Sequence, residues 1–267
     1  MKKLLKLVGL LTLMATLITG CAPKETPTDV VEEPTTGEKQ TLIMGLDDTF
    51  APMGFRDEKG DLVGFDIDLA TEVAKRIDAN IEFQPIDWSM KETELNAGNI
   101  DLIWNGYSIT EERKEKVNYT EPYLANAQII ITLADSPIET IADLKGKVVA
   151  TQAESSSLDA ARAQEGFIES LMNGELIEYA TFNEVFNDLE SKRADAIIAD
   201  EVLARYYMKN KGSEQFKVLE ENLGPEEFGI GLRKDDTDLL KSINDALNEM
   251  KADGTYDEIY AKWFSGN

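Results

Sequence analysis

From Thr41 onward, short apolar runs alternate with segments of helical period, and this alternation restricts the fold more than any other feature of the chain. Thr41–Gly45, Ile81–Pro85, Asp101–Trp104, Ile129–Leu133, Lys147–Ala150, Ala196–Ile198 and Phe228–Arg233 read as strands. Between them, Asp66–Ile77 carries Ile67, Leu69, Ala70, Val73, Ala74 and Ile77 on one helical face with charges opposite. Lys91–Ala97, Phe182–Ser191, Val202–Met208, Asp238–Asp253 and Tyr256–Phe264 read as further helices. Strands separated by helices predict an α/β fold with parallel sheets. In such sheets ligands gather beyond the carboxyl ends of the strands. Gly106 to Ser108, Gln152 to Ser156 and Asp200 stand at those ends.

What the sequence lacks narrows the chemistry. There is no histidine among the 267 residues, and Cys21 is the only cysteine. The usual general base, the commonest metal ligand and both common nucleophile–base triads are therefore missing. Neither an internal disulfide framework nor a cysteine zinc site can form, and no metal or other cofactor is expected. No GxxxxGK[ST], GxGxxG or GxSxG occurs, so phosphate-cradling and nucleophile-elbow chemistry have no support. The formal net charge is −24, which keeps the chain soluble and repels nucleic acid and anionic lipid.

The first twenty residues read as an export leader. Met1 to Lys6 is basic, Leu7 to Ile18 is apolar but short for a bilayer span, and small residues precede Cys21. The ending Leu17-Ile18-Thr19-Gly20-Cys21 resembles the bacterial lipobox, which implies cleavage before Cys21 and its acylation. Residues 21–40 are rich in Pro, Thr and Glu and too poor in apolar side chains to pack, so they read as a flexible tether. Localisation at the outer face of the cell membrane, held by lipid on Cys21, follows as an expectation.

Several segments in order then resemble the polar amino-acid solute-binding proteins of ABC importers. They are Phe50-Ala-Pro-Met-Gly-Phe55, Gly64-Phe-Asp-Ile-Asp-Leu-Ala70, Asn105-Gly-Tyr-Ser-Ile-Thr-Glu-Glu-Arg113, Asp143-Leu-Lys-Gly-Lys-Val-Val149, Arg193-Ala-Asp-Ala-Ile-Ile-Ala-Asp200 and the terminal Asp253 to Phe264. Each is short; their common order carries the resemblance. It implies a two-lobed periplasmic-binding-protein fold of type II, its lobes joined by two hinge strands. Lobe 1 would comprise 41–128 and 229–267, and lobe 2 would comprise 129–228. The implied partners are a free amino acid and the permease subunits of an importer, with the chain itself a monomer.

By the same resemblance, Arg113 takes the ligand carboxylate, helped by backbone N–H groups at Ser108 and Ser156. A guanidinium suits a carboxylate because the two form a planar bidentate pair. The alternative is a surface ion pair with Glu111, Glu112 or Glu115. Asp200 takes the α-ammonium with the Gly106 carbonyl and Ser108 hydroxyl, or else caps the helix that follows it. Phe50 and Trp88 match the aromatics that cover the ligand stem, against the ordinary fate of such rings in a core. Asp47 approaches the ligand side chain, with Gln152 as a neutral partner. An acid there points to arginine, lysine, ornithine or glutamine. Ala199 stands where the glutamine-binding members have histidine, which argues against strict glutamine specificity. The competing readings are a cyclohexadienyl dehydratase-like enzyme on the same scaffold and a sensory ligand-binding module. With no acid–base pair evident, binding is the expected role.

Overall fold

A computed structural model describes residues 39–265; the leader, Cys21 and nearly all of the tether lie outside them. Two five-stranded sheets organise the described chain. In the first, Asn80–Pro85, Thr41–Leu46, Leu102–Ile103, Gly231–Leu232 and Asn118–Tyr119 lie side by side in that order. The first three are mutually parallel, and Gly231–Leu232 runs antiparallel to both its neighbours. In the second, the order is Ile177–Tyr179, Val149–Gln152, Ala196–Asp200, Leu124–Leu133 and Phe216–Phe228. Its first three strands are parallel and its last two antiparallel. A small three-stranded sheet of Thr49–Phe50, Gly54–Arg56 and Leu62–Val63 flanks the first.

Two strands are long enough to belong to both halves. Leu124–Leu133 has ten residues and Phe216–Phe228 thirteen, and they pair antiparallel from Leu124↔Phe228 to Leu133↔Phe216. The chain enters this ribbon from Asn118–Tyr119 of the first sheet and returns to that sheet at Gly231–Leu232. The strand expected at Phe228–Arg233 is thus two elements, and most of the second long strand escaped the apolar pattern. It lies at a sheet edge, with Glu220, Glu221, Asn222, Pro225 and Glu227 exposed and register shifts on either side of Asn222. Edge strands tolerate proline and bulges and need no apolar outer face.

The helices follow the sequence reading to within a few residues. Phe65–Arg76 buries Phe65, Ile67, Leu69, Ala70, Val73 and Ala74. The C-terminal helix Thr255–Phe264 lies against it: the Phe65 ring meets Tyr256, Tyr260 and Phe264 at centroid distances of 5.9, 6.2 and 5.0 Å. Arg76 pairs with Asp253 at 2.8 Å, and Lys262 with Asp68 at 2.6 Å. The end of the chain therefore completes the hydrophobic face of its first helix.

The entry to that helix depends on Gly64. Its φ is +151°, and a Cβ there would lie 2.1 Å from the Met53 carbonyl oxygen. Met53 O accepts from Asp66 N at 2.9 Å, so the obstruction cannot swing aside without loosening the first turn. Gly64→Ala is expected to cost about 3 kcal/mol, read as a fall of roughly 10 °C in Tm. Gly60→Ala, at φ +85° but facing open space, should cost no more than about 1 kcal/mol; equal losses at both positions would contradict this account.

Candidate functional site

The carboxyl ends of both sets of parallel strands face a common seam. From the first sheet, Thr41–Leu46 leads into Asp47, whose backbone N–H donates to Asn105 Oδ1 at 3.0 Å. Asp47 is buried and accepts from the Thr49 N–H and hydroxyl at 2.9 and 2.6 Å. Leu102–Ile103 leads into Gly106, which sits at φ +57°; a Cβ there would meet Phe50 at 2.8 Å, so the position requires glycine. Ser108 follows, fully buried. Thr110 then caps Glu111–Lys116, accepting from the Arg113 N–H at 3.2 Å. The motif's spacing thus has a local cause: the cap sets the helix, and three residues later the helix delivers Arg113 inward.

Arg113 is only 4% exposed. Its guanidinium donates to the carbonyls of Ser108 and Glu154, both at 3.2 Å, and lies 4.8 Å from the centre of the Tyr107 ring. The surface pairing with neighbouring glutamates does not form. Glu111 and Glu112 pair instead with Lys114 and Lys116, and among the described residues the one carboxylate within 4 Å of the Arg113 guanidinium is Asp159, at 3.8 Å. A buried cation satisfied chiefly by neutral carbonyls has unspent capacity for an anion.

From the second sheet, Val149–Gln152 ends on Gln152, Ser156 opens the helix Ser156–Arg162, and Ala196–Asp200 ends on Asp200. Asp200 is 3% exposed and precedes the helix Glu201–Lys211, yet its side chain makes no capping bond. Its Oδ1 instead accepts from Asn126 Nδ2 at 2.6 Å and Gln128 Nε2 at 2.9 Å. Burial, and then the charge of Glu226, raises the Asp200 carboxyl to about 7.

The two groups meet across the seam. Gln152 Nε2 donates to Asp47 Oδ2 at 2.9 Å, and the Ser108 and Ser156 hydroxyls lie 2.9 Å apart. The Phe50 and Phe182 rings are 5.7 Å apart. Asp47, Ser108, Arg113, Gln152, Ser156 and Asp200 are therefore all buried along one seam, with Phe50 beside them. Trp88 packs differently. It joins Leu95, Ile100, Ile103, Tyr107 and Val117 in a separate apolar cluster, edge-on to Tyr107.

Several groups here were not singled out by sequence. Lys91, 2% exposed, donates to the carbonyls of Trp88 and, across the seam, Glu154, at 3.2 and 2.9 Å. Burial, with the nearby Arg113, lowers its ammonium to about 8. It reads in sequence as one more charged helix residue; its signal is the helical spacing to buried Leu95. Asn126 and Gln128 interrupt an otherwise apolar strand, a visible cue. Asp66 hides within a helix start: its Oδ2 accepts from the Gly106 N–H at 2.8 Å and the Tyr123 hydroxyl at 3.0 Å, anchoring the loop that carries Ser108.

Two lobes bridged by two long strands, with opposite charges buried where they meet, define a binding protein of the two-lobed type II class. The chain belongs to the bacterial extracellular solute-binding proteins, family 3, whose profile it matches over residues 42–266. It is 34% identical over 238 residues to the lysine/arginine/ornithine-binding periplasmic protein of Escherichia coli (strain K12), covering 85% of this chain and 89% of the relative. Among solved structures it is similar to an ABC uptake transporter substrate-binding protein from Streptococcus pneumoniae with bound histidine. That likeness has 43% identity and a TM-score of 0.82, covering 84% of this chain and 92% of the other. An ancestral amino acid-binding protein described as a precursor of cyclohexadienyl dehydratase matches at 36% identity and TM-score 0.76, covering 84% and 96%.

Asp66 offers a test of how the loop is anchored. Burial raises its carboxyl from an ordinary 3.8 to about 7. The folded chain binds more protons than the unfolded one between those values, so this group's stabilisation is full at low pH and lost as pH rises through about 7. Asp66→Asn keeps an acceptor for Gly106 and removes the titration. In urea unfolding from pH 4 to 8, the variant should lose less stability than the parent, by about 4 kcal/mol; parallel profiles would contradict the assignment.

Proposed function

We propose that this chain captures a free polar amino acid by closure of its two lobes and presents it to an ABC importer permease. The observation that supports this most is the burial of Arg113 and Asp200 at one seam, each hydrogen-bonded to neutral groups. An α-amino acid carries the complementary pair: a carboxylate for Arg113 and an ammonium for Asp200. Ser108 and Ser156 meet between them and would share both ends of the ligand. Phe50 would cover the stem, and Asp47 with Gln152 would face the side-chain end; Trp88, packed in its own apolar cluster, is left out of this reading.

Lobe 1 (41–128 and 229–267) and lobe 2 (129–228) would pivot on the ribbon of Leu124–Leu133 and Phe216–Phe228. Both boundaries fall within or at the end of these strands. A ligand shifts such an equilibrium only by what it binds better in the closed arrangement, and here Arg113 and Asp200 come from opposite lobes. The side-chain preference is for a basic amino acid or glutamine, supported by Asp47 and by relatives named for lysine, arginine and ornithine and solved with histidine. Binding rather than catalysis fits those relatives, the dehydratase precursor included, which is itself described as a binding protein.

Lipid anchoring through Cys21 belongs to the same proposal. Among the described residues no helix is long and apolar enough to cross a membrane. Cys21→Ser should move the chain from the membrane fraction to the medium or periplasm and abolish labelling with radioactive palmitate; retained labelling would exclude Cys21 as the acylated residue.

Calorimetry of the mature chain with L-arginine, L-lysine, L-ornithine, L-histidine and L-glutamine tests the function. At least one should bind with a raised Tm, and Arg113→Ala should weaken it by about 3–5 kcal/mol, a factor of roughly 150 to 4,000 in Kd. Full affinity in that variant would exclude Arg113 as the carboxylate partner. A response confined to L-glutamate and L-aspartate would overturn the side-chain preference.

A further inference from the structure

Strand register places a second carboxylate beside Asp200. In the ribbon, Asn126 stands opposite Glu226; in the neighbouring ladder, Gln128 stands opposite Asp200. Residues two apart on a strand share a face, so Glu226 and Asp200 flank the face that carries both amides. The side chains close on one another there. Gln128 Nε2 lies 2.9 Å from both Asp200 Oδ1 and Glu226 Oε2, and 3.1 Å from the Ser156 hydroxyl. Asn126 Nδ2 lies 2.6 Å from Asp200 Oδ1 and 3.4 Å from Glu226 Oε2. The Ser108 hydroxyl donates to Glu226 Oε2 at 2.6 Å.

The donors around this pair are neutral and too few. One amide nitrogen has two hydrogens, yet Gln128 Nε2 faces three acceptors. The charges that face the pair come from few elements. The helix Glu111–Lys116 supplies Arg113, and Lys114 borders the outer surface beside Glu226. The helix Ser156–Arg162 supplies Asp159, which approaches Arg113, while its Arg162 pairs outward with Glu178. The helix after Asp200 opens with Glu201, which pairs with its own Arg205, and Glu227 is exposed. The strands Leu124–Leu133 and Val149–Gln152 carry no charge. Lys91 binds carbonyls at the other side of Arg113. Two carboxylates that share donors within one amide's reach repel.

We infer that Glu226 and Asp200 together form the ammonium subsite, that the pair holds one shared proton, and that the ligand's α-ammonium displaces this proton on binding. The step balances: the ammonium arrives with three N–H donors, the carboxyl O–H proton passes to solvent, and no ligand bond breaks. The rise of Asp200 to about 7, with the Glu226 charge second only to burial among its causes, agrees with this geometry. The inference rests on the amino-acid reading of the cleft and adds a residue and a proton to it.

The test is calorimetry of the mature chain at pH 6 with L-arginine, L-lysine and L-glutamine, none of which titrates near that pH, in buffers of different ionisation heat. Close to one proton should be released per ligand bound, and Kd should weaken about tenfold per pH unit below about 7. Glu226→Gln keeps the shape and the acceptor. It should reduce the proton release and move the pH dependence of Kd to lower pH, whereas a merely structural role would weaken binding equally at every pH. Glu227→Gln, on the exposed neighbour, should match the parent. Binding without proton release in the parent chain would overturn the inference while leaving the amino-acid reading intact, and this arm needs no variant to fold. Failure of every free amino acid to bind would overturn both.

Discussion

The antiparallel ribbon of Leu124–Leu133 and Phe216–Phe228 is the constraint on which the rest depends. A backbone ladder fixes register, and register with a period of two fixes which side chains share a face. Because this ribbon belongs to both halves of the chain, its polar residues form the floor of whatever the halves enclose. Asn126 and Gln128 are there because a slip of one residue would send them outward and put Ala127 in their place. The floor is thus specified by the same hydrogen bonds that join the lobes.

The charges at the seam follow a consistent pattern. Cations lie on one side, Arg113 and Lys91, both reaching the Glu154 carbonyl. Carboxylates lie on the other, Asp200 and Glu226, bound to side-chain amides. Burial raises the cost of each charge alone and strengthens the attraction of a zwitterion that meets both. The directions of the titrations agree: burial lowers the Lys91 ammonium and raises the carboxyls of Asp47, Asp66 and Asp200. Burial therefore disfavours the charged forms of these four groups, while the Arg113 guanidinium stays charged.

Much of this was legible in sequence, for identifiable reasons. The strands at Thr41–Leu46 and Ala196–Asp200 and the helix at Lys91–Ala97 carry buried faces, so their apolar pattern announces them. Arg113 was read from the resemblance of Ser108-Ile-Thr110-Glu-Glu-Arg113 to the family motif; that Thr110 caps the helix and so directs Arg113 is a finding of the structure. Glu226 was not readable. It lies in an edge strand whose pattern Gly224 and Pro225 interrupt, and its importance comes from pairing with Asn126 a hundred residues away. Lys91 and Asp66 share this difficulty, since a charged residue in a helix looks solvated until its tertiary partners are known. The pairing of Asp47 with Gln152 is likewise a contact between lobes that no local pattern encodes.

The two ends of the site differ in how firmly they are held, and that difference has a physical consequence. Arg113 is set by a helix cap and Asp200 by a ladder, so the groups that would meet an amino acid's common backbone are fixed by main-chain hydrogen bonds. Asp47 follows the end of one strand and Gln152 closes another; between them runs one side-chain bond, besides the bonds of Asp47 to Thr49 and of Gln152 to the Ala180 carbonyl. Replacing either removes a few side-chain bonds, whereas moving Arg113 or Asp200 would require shifting a cap or a register. Under the proposed reading, a scaffold built this way would keep recognition of the amino-acid backbone while its side-chain end diverges. That fits relatives sharing a third or more of their residues with this chain yet named for lysine, arginine and ornithine in one case and solved with histidine in another.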